Sequence, residues 1–97
     1  MVRLDVRVEA EFDILEASVW YEAEQGGLGL EFLSELRATF ARVEDGPLHF
    51  PRVLREFRRA ILHRFPFGVL FILEGDVATV MAVTHLHRHP SAWQSRP

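Results

Sequence analysis

The sequence predicts an α+β fold of element order β-α-α-β-β-β, a mostly antiparallel sheet with a helical hairpin packed on one face. Three observations carry this prediction. The apolar residues alternate with polar ones over Leu4–Glu9 and then change to helical spacing from Glu11. A glycine pair, Gly26-Gly27, divides the helical stretch into two. From Phe57 onward the chain becomes β-branched and aromatic, in short runs separated by turn signals. With 97 residues, 48% of them hydrophobic and 26% charged, and no repeat or linker, residues 1–97 are expected to form one domain.

Leu4 to Glu9 reads as a half-buried edge strand, because charges fill its second face. Phe12, Leu15, Val19 and Ala23 then recur at helical spacing among Glu11, Asp13, Glu16, Glu22 and Glu24, an amphipathic helix with a solvated acidic face. Trp20 is expected in its core and Tyr21 as a partly exposed anchor. Leu28 to Val43 resumes the helical period through Phe32, Leu33, Leu36 and Phe40, and Asp45-Gly46-Pro47 stops it. Phe57–Arg64, Phe67–Leu73 and Val77–Leu86 supply three strands, the last two joined by a hairpin turn at Glu74-Gly75-Asp76. The middle strand is apolar on both faces, yet two helices cover only one. The other face must either curl onto itself or expose an apolar strip of the kind that marks partner sites.

Composition removes whole classes of chemistry. There is no cysteine, so disulfides, thiolate nucleophiles and cysteine-bound metals are excluded. All eleven basic side chains are arginine, which excludes Schiff-base and lysine-base mechanisms. No apolar run approaches the ~18–20 residues of a membrane span, and no signal-peptide core follows Met1, so the protein is expected in the cytoplasm. The net charge of −3 conceals a division: residues 1–48 carry eleven acids and four arginines, residues 49–97 three acids, seven arginines and all five histidines. A basic second half suits phosphate or an acidic peptide.

Four blocks carry more than a fold: Ala17-Ser18-Val19-Trp20-Tyr21-Glu22, Gly27-Leu28-Gly29-Leu30-Glu31-Phe32, the stretch Arg58–Phe67, and Ala82–Pro90 followed by Trp93. In order and spacing they resemble the RelE/ParE superfamily of bacterial toxin–antitoxin toxins, from about Val6 to Arg96, and within it the ParE-like, plasmid-stabilisation branch. The resemblance implies a growth inhibitor neutralised by a cognate antitoxin whose carboxy-terminal segment wraps it. Members of the RelE type cleave messenger RNA at the ribosome, whereas members of the ParE type inhibit DNA gyrase. A third reading is an inert binding module built on the same fold. The resemblance implies no cofactor; a homodimer or a toxin–antitoxin hetero-oligomer are both compatible with it.

Cleavage of RNA through its own 2′-hydroxyl needs a base, an acid and cations around the phosphate. His85 and His87 share strand parity and are the candidate acid–base pair, with Arg59, Arg64 and Arg88 as phosphate ligands. The lack of lysine and of a late tyrosine departs from the ribonuclease pattern. In the binding reading, Arg59, Arg64, Arg88 and Trp93 meet the target, while Leu70, Ile72 and Arg58 on the second sheet face meet the antitoxin. Each has a structural alternative: a strand-end histidine holding a hydrogen bond, or an arginine tying helix to sheet. His85, His87 and His89 alternate like a metal cluster, but two strand residues and a third before Pro90 converge poorly, and no metal is expected. Trp93 is expected to fold back over the sheet edge beside His85 and Arg88, since Pro90 forces a turn and an indole this apolar does not remain solvated.

Overall fold

Residues 1–97 are described by a computed structural model. The elements are β1 (Arg3–Val6), α1 (Val8–Glu24), α2 (Leu28–Asp45), β2 (Arg52–Leu54), β3 (Phe57–Ile61), β4 (Phe67–Glu74) and β5 (Val77–His85), with short 3-10 turns at Pro47–His49 and Pro90–Ala92. The five strands form one sheet in the order β1-β5-β4-β3-β2. β1 runs parallel to β5 and the other neighbours are antiparallel, so the sheet is mixed and mostly antiparallel, with β1 at an edge as its charge pattern predicts. Sequence periodicity missed β2, because three residues after Pro51 are too few to show a period.

Gly27 joins the helices. Its φ of 89° lies in the left-handed region that a β-carbon disfavours, and the Glu22 carboxylate accepts the Gly27 and Gly29 N–H groups at 2.9 and 3.0 Å, satisfying donors that open α2. The inner face of α1 differs from the expected one. Ala10 and Ala17 are its buried residues, with Ile14 and Tyr21 partly buried against the same core, whereas Phe12, Leu15, Val19 and Trp20 are 66, 58, 60 and 58% exposed. The helix carries two apolar stripes, and it packs on the smaller one, where alanines let it approach the sheet. Trp20 is therefore outside the core.

The sheet is covered on both faces by the chain itself. Val69 and Phe71 of β4, Ala60 of β3 and Val80 and Val83 of β5 pack with Phe32, Leu36 and Val43 of α2. On the other face Phe57, Leu70, Met81, Ala82 and Trp93 form a second, smaller core. A register shift opposite Leu70 and Phe71 places both Met81 and Ala82 on this second face, so two adjacent β5 residues fill it. Trp93 is 4% exposed and stands edge-on to Phe57 with ring centroids 4.9 Å apart. Of the two outcomes open for the apolar second face, the chain adopts closure onto itself.

The tail is fixed at its far end. β1 stops at Val6, and the last bond along this edge runs from the Arg7 N–H to the Val80 carbonyl, leaving the β5 edge beyond without a strand partner. The Asp13 carboxylate fills that gap. It accepts the Val83 N–H at 3.0 Å and the Arg96 guanidinium at 2.7 and 3.1 Å, while Arg96 also donates to the Met81 carbonyl at 3.1 Å. Arg96 is consequently held as a cation more firmly than a free arginine, first by the hydrogen bond to Asp13, against partial burial.

The two tryptophans give a direct check. Trp93→Ala should cost about 3–5 kcal/mol in urea denaturation, the usual range for a buried tryptophan. Trp20→Ala, on the exposed flank of α1, should change stability by no more than about 0.5 kcal/mol.

Candidate functional site at the end of the fifth strand

His85 closes β5 opposite Phe67 of β4, and its ring lies against Phe67 at 5.5 Å between centroids. Phe67 belongs to an aromatic cluster with Tyr21, Phe32 and Phe65, whose centroid separations run from 4.9 to 5.9 Å. Burial in this cluster raises the Tyr21 hydroxyl above its ordinary pKa. The His85 ring thus sits on the outer end of a packed aromatic row and is oriented by it. Its Nδ1 accepts the His87 N–H at 3.2 Å, and the two imidazoles lie 5.2 Å apart at a 30° tilt. The Nδ1 of His85 is thus engaged by the backbone.

Two depressions flank this strand end. The larger, about 700 Å³, lies between α1 and β5, with Asp13, Glu16 and Trp20 on one wall and Phe67, His85 and Arg88 on the other. The smaller, about 160 Å³, opens on the second face of the sheet among Arg59, Leu70, Thr84, Leu86 and Trp93, and it too reaches His85 and Arg88. His85 and Arg88 therefore form a ridge between the two. Arg59 reaches the smaller cavity because Gly68 has no side chain; a β-carbon there would stand 2.9 Å from Arg59 Cδ and 3.0 Å from Cγ. Arg59 and Arg88 form no ion pair with any acid, whereas Arg64 and Arg96 do. Two unpaired guanidiniums beside a small cavity are suited to a phosphate or carboxylate.

The candidate residues divide by environment. Arg59, His85, Arg88 and Trp93 meet at the smaller cavity, with Trp93 as its buried floor. Arg64 lies elsewhere: its Nε and Nη2 donate to Glu35 and Glu31 at 3.2 Å each, and its backbone N–H donates to Glu35 at 2.7 Å, tying the β3–β4 connection to α2. Arg58 points to the helix side and donates to the Phe50 carbonyl at 2.7 Å. Leu70 is 2% exposed inside the second core, and Ile72 packs partly buried against it, so a partner reaching Leu70 would first displace chain that already covers it. The His89 ring accepts the Ser91 N–H at 3.1 Å and caps the turn that turns the tail back, separate from the His85–His87 pair. No three His, Asp or Glu side chains gather as a metal site. Asp13, Glu16 and Thr84, lining the larger groove, escaped the sequence reading: Asp13 is separated from Arg96 by most of the chain, and an isolated helical acid gives no local signal.

No family model matches the sequence, and no curated protein matches it. Solved structures do. The fold is similar to a chain of the chromosomal ParDE TA system from P. aeruginosa, with a TM-score of 0.66 and 18% identity over 88% of this chain and 96% of that one. It is also similar to a chain of the toxin-antitoxin complex RelBE2 from Mycobacterium tuberculosis, with a TM-score of 0.63 and 12% identity over 87% of this chain and 96% of that one. At these identities the shared property is the fold. No helix is long and apolar enough to cross a membrane.

Glu35 supplies a pH test of the Arg64 tie. Burial pushes its carboxyl up, but the hydrogen bonds from the Arg64 N–H and guanidinium and from the His63 backbone outweigh this, and the net shift is downward. A carboxylate with a lowered folded pKa stabilises above its unfolded value and loses that contribution as the pH falls through the folded one. Glu35→Gln should therefore lower the urea midpoint at about pH 7, and the gap to the wild type should narrow as the pH falls below the ordinary carboxylate range of about 4.

Proposed function

We propose that this chain is the toxin of a type II toxin–antitoxin pair, of the RelE/ParE superfamily and ParE-like in action. It arrests growth by binding a macromolecular target, DNA gyrase by resemblance, and a cognate antitoxin neutralises it. The fold shared with chains of the ParDE and RelBE2 systems supports the class. The choice between binding and cleavage rests on one observation: the His85 Nδ1 already accepts the His87 N–H, so this nitrogen is engaged by the backbone rather than offered to a substrate. In-line attack by a 2′-hydroxyl requires a base within hydrogen-bond reach. What the ridge offers instead is charge, from Arg59 and Arg88, presented by a strand end whose supports are packed. Guanidiniums of this kind fix an anionic or carboxylate-bearing surface through paired hydrogen bonds.

The ribonuclease reading has its own support, since the exposed His87 ring stands beside His85 and Arg88. On that reading His87 is the base and the arginines hold the phosphate. The two readings differ in measurable ways. Induced expression in a bacterial host should arrest growth, purified protein should block gyrase supercoiling, and translating ribosomes should leave their message uncut. Arg88→Ala, at an exposed residue, should weaken inhibition by roughly tenfold or more with melting unchanged, and the part-buried Arg59→Ala should weaken it by a similar factor. His87→Ala should retain inhibition. Message cut at ribosomes by the wild type and spared by His87→Ala would establish the ribonuclease instead.

A further inference from the structure

The outer face of α1 has no role in the fold. Val8, Phe12, Leu15 and Val19 fall within about 60° of one another on the helix, on the side opposite the buried Ala10 and Ala17. All four are more than half exposed, and removing them would take nothing from either core. Single exposed apolar residues are ordinary; four in register on one helix form a patch. Val8 to Val19 spans about 17 Å, the length of three helical turns.

The rim of this patch specifies what fits it. α1 contains six acids and no basic residue. Glu11 and Glu22 border the stripe on one side and Glu16 on the other; Glu11, Glu16 and Glu24 form no ion pair. A cationic rim on the opposing surface would neutralise the unpaired Glu11 and Glu16 that flank the stripe. A second copy docking helix to helix would set Glu11, Glu16 and Glu22 against their own copies, and an anionic lipid surface would repel them.

We propose that the outer face of α1 is a docking surface for an amphipathic helix of another protein, with apolar residues at helical spacing and Lys or Arg on both flanks. This assignment concerns the outer face of α1, whose Glu16 flank borders the groove that Arg88 also lines. The partner's apolar ridge would lie in the groove between Phe12, Leu15 and Val19, and its cations would meet Glu11 and Glu16.

Titration of the full chain with a designed helical peptide of about 18 residues, leucines on one face and lysines and arginines beside them, tests this. The same peptide with glutamates at the flanks is the control. Expected are binding of the basic peptide, at least roughly tenfold weaker binding of the acidic one, and a loss of affinity from about 50 to about 500 mM salt. Phe12→Ser with Val19→Ser should abolish binding while the protein remains folded by circular dichroism. Glu11→Lys with Glu16→Lys should invert the preference between peptides, which keeps the test sharp if the apolar variant fails to fold. Equal binding of both peptides, or of neither, overturns the proposal. So does a dimer in sedimentation that Phe12→Ser dissolves, or binding to vesicles of phosphatidylcholine and phosphatidylglycerol.

Discussion

Everything at the working end of the molecule hangs on one carboxylate. β5 outruns β1, and from Met81 onward its outer edge has backbone groups but no strand to meet them. An unpaired N–H within a part-buried edge is costly, and so is a part-buried charge. Asp13 answers both at once, accepting the Val83 N–H with the same oxygen that takes the shorter bond from Arg96. Arg96 in turn reaches the Met81 carbonyl. First helix, fifth strand and chain end are thereby joined at one point, next to the irregularity that turns Met81 and Ala82 toward the second core.

The closure of the second face follows from this joint. Trp93 lies between the His89 cap at one end of the tail and the Arg96 clamp at the other, and its indole covers Phe57, Leu70 and Met81. The tail is thus part of the structure that presents the ridge. His85 is held by the Phe67 ring and by the His87 N–H, and the Arg88 N–H donates to the His85 carbonyl at 2.9 Å. Two arginines without acid partners stand beside this braced corner. Electrostatic contacts made by pre-positioned guanidiniums lose less entropy on binding than contacts made by a mobile loop.

The element order and the helical hairpin were legible in the sequence because they rest on local signals: the change of period at Glu11, the glycine pair, and the turn at Gly75. The fold-back of Trp93 was legible too, from Pro90 and the indole's apolar bulk. Other features were not. α1 carries apolar residues on two opposite faces, and the larger stripe was read as the inner one; only the sheet, which requires small residues for close approach, decides for Ala10 and Ala17. Adjacent strand residues such as Arg58 and Arg59 point oppositely, but which of them remains free depends on the Phe50 carbonyl and on the space above Gly68. Arg64 reads as a phosphate ligand until Glu31 and Glu35 are brought to it by α2. The Asp13–Arg96 pair, at a sequence separation of 83, leaves no trace in any local window.

Amide hydrogen exchange at Val83 tests the central role of Asp13 most directly. Val83 N–H has no strand partner, so its protection in the native protein depends on that carboxylate. It should exchange as slowly as its neighbours in β5, and in Asp13→Ala it should accelerate by roughly ten- to a hundredfold together with the tail from Pro90 to Arg96, while α2 keeps its protection. Rapid exchange at Val83 in the wild type, or an unchanged rate in Asp13→Ala, would contradict it.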